Sequence, residues 1–229
     1  MIVGRVVVVG LGPAGPDLLT AGPEQALARS THRYLRTSRP PAATAVPDAV
    51  TFDHLYEAAS TMDEVYEAIV EALAAAAAEH GEVLYAVPGS PVVAERTVEL
   101  LQLRDNLEVS VLPALSFLDL TWARLGLDPV ALGARLVDGH RFEVEAAGER
   151  GPLLVAQCDH RDVLSRIKLA VDEGPDEVVV LQRLGLPDER VATVAWEDLD
   201  RAVEPDHLTS VWIPALAEPV AGEVARFHE

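Results

Sequence analysis

The sequence has little cysteine, few basic residues and no long apolar run. Cys158 is the single cysteine among 229 residues, which excludes an internal disulfide and a cysteine zinc site and favours a reducing compartment. The net charge of −19 argues against nucleic acid and anionic membranes as partners. No apolar run reaches the ~18 residues of a membrane helix, and the first apolar stretch is too short for a signal peptide. We therefore expect a soluble, cytoplasmic protein.

Glycine, by contrast, is concentrated near the start of the chain, in VVVVGLGPAGPDLLT at residues 6–20. Gly10, Gly12 and Gly15 satisfy G-x-G-x-x-G, the pattern of dinucleotide-binding loops. In those folds the loop opens directly into a long helix, whose N-terminus holds the pyrophosphate. An FAD- or NAD(P)-binding oxidoreductase is therefore the first function class to test.

The residues after the glycines argue against that class. Pro16 falls one turn into the required helix, where a proline costs about 3 kcal/mol, and Gly22-Pro23 predicts a second break. The acid that binds the ribose should follow about 20 residues on, but residues 31–41 are basic. The stretch is better interpreted as a turn at the carboxyl end of the first strand, where open α/β sheets bind their ligands.

Hydrophobic periodicity predicts two domains of different architecture. Over residues 1–112, strands are predicted at 4–10, 32–37, 83–87 and 108–112, and helices at 23–30, 61–79 and 91–103. This alternation predicts a mostly parallel sheet with helices on both faces. Over residues 113–229, helices are predicted at 116–125 and 161–172, and strands at 134–138, 152–157, 177–182, 190–195 and 210–213. We therefore predict an α/β fold whose second domain is a mixed-sheet α+β domain.

Three loops that follow predicted strands carry a family resemblance: GLGPAGPDLLT, VPGSPVVAER and VLPALSFLD. Their order, spacing and chemistry resemble the tetrapyrrole (corrin/porphyrin) methylase family, whose usual forms are GxGPGDPxLLT, GGDP and VxPGxSS/A. Later stretches that begin PLLVAQCDHRD, EVVVLQRLGLPDER and DHLTSVWIP also fit. With the PGSPxxAER loop, the chain looks most like the methylase-like N-terminal domain of MazG-type nucleoside triphosphate pyrophosphohydrolases.

The resemblance implies two domains that hold S-adenosylmethionine (AdoMet), or S-adenosylhomocysteine, in the cleft between them. It also implies a small-molecule methyl acceptor and a homodimer. It places the cofactor against Pro13, Pro88, Gly89, Ser90, Val93, Ser116, Phe117, Gln157 and Leu184. Loops rich in glycine and proline suit this role because they expose backbone groups to the ligand. Because methyl transfer can rely on alignment and desolvation, no catalytic side chain is assigned, and no metal is expected.

Several positions depart from the family forms. Ala14 and Gly15 replace the glycine and the acid of the first loop, Ser90 replaces the aspartate of GGDP, and Ala114 replaces the glycine of the third loop. With these changes, two function classes stay open in addition to the oxidoreductase. One is an AdoMet-dependent methyltransferase, and the other is a non-catalytic AdoMet-binding or scaffolding domain that partners a nucleotide pyrophosphohydrolase.

Other polar clusters are interpreted as structural. Four glutamates resemble the metal-binding carboxylates of MazG-type hydrolases, but they span one helix and its exit, which favours a solvated face: Glu64, Glu67, Glu79 and Glu82. Helix capping is favoured over a metal site for Asp159, His160 and Asp162, and helix N-caps are an alternative for Ser90 and Ser116. Cys158 is interpreted as a thiol at the edge of the core. A solvated surface is favoured over a substrate-binding basic patch for Arg33, Arg36, Arg39 and Arg96.

Overall fold

A computed structural model describes residues 2–221 of the chain. The chain divides into two compact units, of which the first ends at Asp119 and the second begins at Leu120, within a helix. Each unit has its own five-stranded sheet and its own hydrophobic core. Within the described residues, no helix is both long and apolar enough to cross a membrane.

The first unit is a parallel sheet in the order β3-β2-β4-β1-β5. Its strands are β1 (Gly4–Gly10), β2 (Arg33–Leu35), β3 (Val50–Thr51), β4 (Glu82–Val87) and β5 (Leu107–Leu112). Its helices are α1 (Ala21–Arg29), α2 (Asp53–Ala58), α3 (Met62–His80), α4 (Arg96–Gln102) and α5 (Phe117–Leu125), the last of which runs past the boundary. Short 3-10 helices lie at Pro16–Leu18 and Pro41–Ala45.

Both faces of this sheet are covered, as the valine run of β1 predicts. Val6 and Val8 belong to one core cluster, which includes α3, and Val9 belongs to another, which includes α1. Successive side chains of a strand point to opposite faces, so the two clusters lie on opposite sides of the sheet. A strand buried on both faces has no polar face, and its sequence is accordingly continuous in valine rather than alternating.

The second unit is a mixed sheet in the order β6-β7-β10-β8-β9. Its strands are β6 (Arg135–Asp138), β7 (Leu153–Ala156), β8 (Glu177–Gln182), β9 (Arg190–Ala195) and β10 (Thr209–Ile213). Only the β6–β7 pair is parallel among these described strands. Its helices are α6 (Pro129–Leu132), α7 (Phe142–Glu145) and α8 (Arg161–Leu169), with 3-10 helices at Gly139–Arg141 and Trp196–Asp198.

The α/β fold class, with a parallel sheet and a mixed sheet, is confirmed, but several local predictions are wrong. Four short elements were not predicted, because each has six residues or fewer and gives no clear periodicity: β3, α2, α6 and α7. The helix predicted at 91–103 begins only at Arg96, because Pro91 and the residues after it form turns. Gly22-Pro23 does not break the chain, because both residues lie in the first turn of α1, where an N–H has no helical acceptor.

The start of α3 is stabilised by a capping box. Thr61 accepts a hydrogen bond from the Glu64 amide at 3.3 Å, and the Glu64 carboxylate accepts from the amides of Ser60 at 2.8 Å and Thr61 at 3.1 Å. We expect Thr61→Ala to lower the free energy of unfolding by about 1 kcal/mol, because it leaves a helix amide unpaired. Urea denaturation followed by circular dichroism measures the loss. Thr61→Ser keeps the acceptor and serves as the control, and equal stability of all three proteins would contradict this role of Thr61.

Candidate cofactor-binding site

The loop after β1 differs from a dinucleotide-binding loop. Gly12 adopts a left-handed backbone with φ of 82°, and a 3-10 helix follows at Pro16–Leu18. The first α-helix begins only at Ala21, so no helix N-terminus follows the glycines directly. As its position in the sequence predicts, Pro16 prevents a long α-helix from starting directly after the glycines. The loop therefore lacks the helix that holds a pyrophosphate in dinucleotide folds.

Backbone and side-chain hydrogen bonds join this first loop to the loops after β4 and β5. Gly12 and Gly89 exchange two backbone hydrogen bonds, with N–O distances of 3.2 and 2.8 Å. The Thr20 hydroxyl donates to the carbonyl of Pro113 at 3.4 Å. The three motifs of the family resemblance therefore meet at the carboxyl edge of the parallel sheet, where open α/β sheets bind ligands.

The close approach of the three loops depends on the missing side chain of Gly10. A Cβ atom at Gly10 would lie 2.3 Å from the carbonyl oxygen of Gly89, 2.5 Å from Cβ of Ala114 and 2.7 Å from Cδ of Pro91. These atoms belong to the second and third loops, and each distance is far inside van der Waals contact. Gly10 is thus the position at which the three loops pack on one another.

The second loop, residues 88–95, presents its backbone outward at Gly89. Gly89 is left-handed with φ of 65°, and a Cβ atom there would meet no atom within 4 Å apart from its chain neighbours. Pro88 and Val93 are half-buried beside it, while Ser90 is buried. This combination offers a ligand open backbone groups next to apolar side chains, which fits the adenosine of AdoMet.

The two candidate N-cap serines have different roles. Ser116 lies just before α5, where its hydroxyl accepts from the Leu118 amide at 3.1 Å and donates to Asp119 Oδ2 at 3.1 Å, so its helix-capping role is confirmed. Phe117 follows it as the first residue of α5 and is half-buried. The N-cap interpretation of Ser90 is wrong, because α4 begins at Arg96.

Left-handed backbone at non-glycine residues occurs at or beside predicted cofactor contacts. Within residues 2–221 it is found at Ala94, Gln157 and Arg183, with φ of 53°, 57° and 51°. Ala94 follows Val93, Gln157 is itself a predicted contact, and Arg183 precedes Leu184. Each such residue costs of order 1–3 kcal/mol and persists only where the surrounding structure fixes it, which is frequent at ligand sites. Gln157 is exposed after β7, and Leu184 is buried after β8.

An ion pair beside the second loop, with a buried Glu95 and a partly buried Arg36, was not predicted from the sequence. Arg36, interpreted from the sequence as solvated surface, donates to Glu95 Oε2 at 2.6 Å and to the Tyr56 hydroxyl at 2.9 Å. Burial alone would lower the pKa of Arg36, but the Glu95 carboxylate and Tyr56 outweigh burial and raise this pKa above its ordinary value. No local signal indicated the pair, because Arg36 lies in the strand predicted at 32–37 and Glu95 lies in the helix predicted at 91–103.

The other polar clusters do not form a ligand site of the kinds considered. Glu64 caps α3, and Asp159 lies 2.8 Å from Nε2 of His140. Side-chain capping of α8 is wrong, because His160 occupies the N-cap position without a side-chain hydrogen bond. No three His, Cys, Asp or Glu side chains are grouped to bind a metal in the part of the chain that the structure describes. Cys158 is fully buried in the core of the second unit, and this burial raises the pKa of its thiol well above its ordinary value.

Comparison with known proteins identifies the family of this chain. The family model of Tetrapyrrole (Corrin/Porphyrin) Methylases matches residues 5–200. The match covers the three loops and nearly all strands of both units. The chain therefore belongs to the tetrapyrrole methylase family.

Solved structures share the fold. The precorrin-6Y methylase of Archaeoglobus fulgidus matches with a TM-score of 0.68 at 21% identity, over 92% of this chain and 98% of that one. The uroporphyrin-III C-methyltransferase of Thermus thermophilus, crystallised with S-adenosylhomocysteine, matches with a TM-score of 0.65 at 23% identity. That match covers 98% of this chain and 100% of the other. At these identities the similarity establishes the two-domain α/β architecture.

A curated relative is considerably longer than this chain. The uncharacterized protein YabN of Bacillus subtilis (strain 168) is 36% identical over 236 residues. The match includes 99% of this chain but 47% of the relative, so the chain spans about half the length of YabN.

Proposed function

We propose that the chain binds AdoMet or S-adenosylhomocysteine at the three loops of the first unit and transfers a methyl group to a small-molecule acceptor. The observation that carries this proposal is Gly89, which is left-handed and has open space beside it. Its loop packs closely on the first and third loops at Gly10. The left-handed Ala94, beside Val93 in the same loop, supports it, because strained residues are concentrated at ligand sites. A family neighbour crystallised with S-adenosylhomocysteine supports the identity of the ligand.

The residues of this chain supply binding and alignment in such a reaction. AdoMet carries an activated methyl group on a sulfonium, so the protein need not provide a nucleophile. Pro13, Pro88 and Val93 are half-buried and offer apolar contacts, while the backbone of Gly89 offers hydrogen-bonding groups without a side chain in the way. Holding the reactants in line and excluding water are then the protein's main contributions to the rate. Gln157 and Leu184 remain predicted contacts from the second unit.

A second candidate function is an AdoMet-binding or scaffolding domain without methyl transfer. It is favoured by the loss of the acidic family positions, which are Gly15 and Ser90 here. In this proposal the chain is the methylase-like part of a longer, MazG-type nucleoside triphosphate pyrophosphohydrolase, and it pairs as a homodimer. The length of YabN supports it, because about half of that relative lies outside the match.

AdoMet and S-adenosylhomocysteine are expected to raise the melting temperature of the purified protein. A ligand at about 100 times its dissociation constant adds roughly 2.7 kcal/mol to the free energy of unfolding when it binds the folded state alone. Differential scanning fluorimetry measures the shift, with NADPH and FAD as controls that should give none. A shift with NADPH or FAD but not with AdoMet would reject the proposal in favour of an oxidoreductase.

Turnover separates the two candidate functions once binding is established. Release of S-adenosylhomocysteine in the presence of a reduced tetrapyrrole acceptor, measured by mass spectrometry, supports the methyltransferase. Binding of AdoMet without release, over a panel of acceptors, favours the scaffolding domain.

Under both candidate functions, the chain alone should not release pyrophosphate from nucleoside triphosphates with magnesium or manganese. Hydrolysis that Glu67→Gln abolishes would mean that the helix carboxylates bind a metal.

A further inference from the structure

The second loop ends in a buried carboxylate whose two oxygens are both engaged. The Glu95 side chain is only 2% exposed. Its Oε2 accepts from Arg36 at 2.6 Å, and its Oε1 accepts from the Thr97 hydroxyl at 2.5 Å. The Tyr85 hydroxyl lies 3.0 Å from Thr97 Oγ1. Because Tyr85 is a buried residue of β4, this contact extends the network into the hydrophobic core. A buried charge with all its partners in place holds its segment in one conformation.

Arg36, the other member of the ion pair, is also held by several contacts. The backbone amide of Arg36 donates to the carbonyl of Ala86 on β4 at 3.0 Å. Its guanidinium donates to the Tyr56 hydroxyl on α2 and lies 5.7 Å from the ring centroid of Tyr66 on α3. Arg36 is therefore attached to one strand and two helices, and it presents a fixed cation to Glu95.

Glu95 occupies the N-cap position of α4, where a side chain ordinarily caps the helix. Its side chain makes no capping hydrogen bond, however, and points to Arg36 instead. Ala94, directly before it, is left-handed with φ of 53°, a conformation that alanine adopts only under constraint. At the other end of the loop, Gly89 is held by its two hydrogen bonds to Gly12. The loop is thus fixed at both ends, by backbone pairing at one and by an ion pair at the other.

We propose that Glu95, held by Arg36, is a positioning residue that keeps the second loop in its cofactor-binding conformation. The inference rests on the proposed function, because the cofactor contacts at Gly89 and Val93 lie between the two fixed ends. Neither Glu95 nor Arg36 is among the predicted cofactor contacts. When an anchor is lost, the loop samples other conformations, and the apparent affinity falls by the fraction of time that it spends outside the competent one.

The test combines two variants with two measurements. Glu95→Gln removes the charge and keeps the shape, and Arg36→Met removes the cation. Each is expected to raise the dissociation constant of AdoMet at least tenfold in calorimetry. Each should also speed hydrogen exchange of the hydrogen-bonded loop amides of Gly89 and Val93 in the ligand-free protein at least tenfold, with exchange in α3 unchanged. Glu99→Gln is the matched control, because Glu99 forms an exposed ion pair with Arg96 one turn further on, and it should change neither quantity.

A double variant separates positioning from general stability. Arg36→Met/Glu95→Leu replaces both charges with apolar groups, which commonly restores stability because no unpaired charge stays buried. We expect its melting temperature to return toward that of the wild type while AdoMet binding stays at least tenfold weaker. Recovery of both quantities together would show that the pair contributes stability alone and would overturn the proposal.

The outcomes also distinguish this proposal from the proposed function. If the wild type does not bind AdoMet, the function proposal fails, and the exchange rates in the ligand-free loop still test the anchoring by Glu95. If the wild type binds AdoMet and Glu95→Gln binds it within twofold, with unchanged exchange at Gly89 and Val93, the positioning role is wrong.

Discussion

Gly89→Val is expected to abolish AdoMet binding while the protein stays folded. The backbone of Gly89 has φ of 65°, and its missing Cβ points into space that no atom occupies within 4 Å. A valine there would project two methyl groups into the proposed ligand volume and strain the turn by about 1–3 kcal/mol. We expect the dissociation constant to rise about 100-fold or more, which corresponds to roughly 2.7 kcal/mol. Calorimetry measures the affinity, and circular dichroism checks the fold.

Gly133→Val is the matched control for this variant. Gly133 has the same φ of 65°, and a Cβ there would also meet no atom within 4 Å, but it ends α6 and belongs to none of the predicted cofactor loops. It should reduce stability by a similar amount and leave the AdoMet affinity unchanged. If Gly89→Val keeps a native circular dichroism spectrum and wild-type affinity, the cofactor does not bind at the second loop.

Gly10→Ala is expected to destabilise the protein severely. The added methyl group would lie 2.3 Å from a backbone oxygen of the second loop and 2.5 Å from Ala114 in the third. Overpacking typically costs 1–3 kcal/mol, and a clash with both a backbone oxygen of the second loop and a Cβ atom of the third places this variant at about 3 kcal/mol or more. Urea denaturation measures the loss, and AdoMet binding should weaken with it because the three loops separate.

Gly22→Ala provides the comparison for Gly10→Ala. Gly22 lies in the first turn of α1, and a Cβ there would meet no atom within 4 Å. Because alanine is favoured over glycine in a helix by up to about 1 kcal/mol, this variant should be as stable as the wild type or slightly more stable. If the two variants unfold at the same urea concentration, Gly10 is not the packing position that the structure indicates.

The long elements of this fold follow from the residues themselves. Strand β1, at Gly4–Gly10, and strand β8, at Glu177–Gln182, have the bounds that the sequence analysis predicts, and α3 differs by one residue at each end. Each has enough residues for its apolar pattern to select one secondary structure. The 3-10 helix at Pro16–Leu18 likewise reflects proline, whose effect on the backbone is local.

The pairing of Arg36 with Glu95 depends on contacts that no local pattern contains. The two residues are 59 positions apart in the chain, so no window of neighbouring residues contains both. Only the order of the strands, with β2 beside β4, brings their loops together. An isolated arginine or glutamate carries no signal of its burial, because burial of a charge is decided by whether a partner is present.

The sequence by itself determined the parallel and mixed sheets, the broken helix after the first glycines and the three loops that identify the family. It did so because strand periodicity, proline geometry and glycine-rich turns are properties of neighbouring residues. Tertiary structure alone decided which glycine lies between loops, that Ala94 is left-handed and that Glu95 is buried against Arg36. Those features arise where segments distant in the chain approach within a few ångströms, and the energies that select them exist only in the folded state.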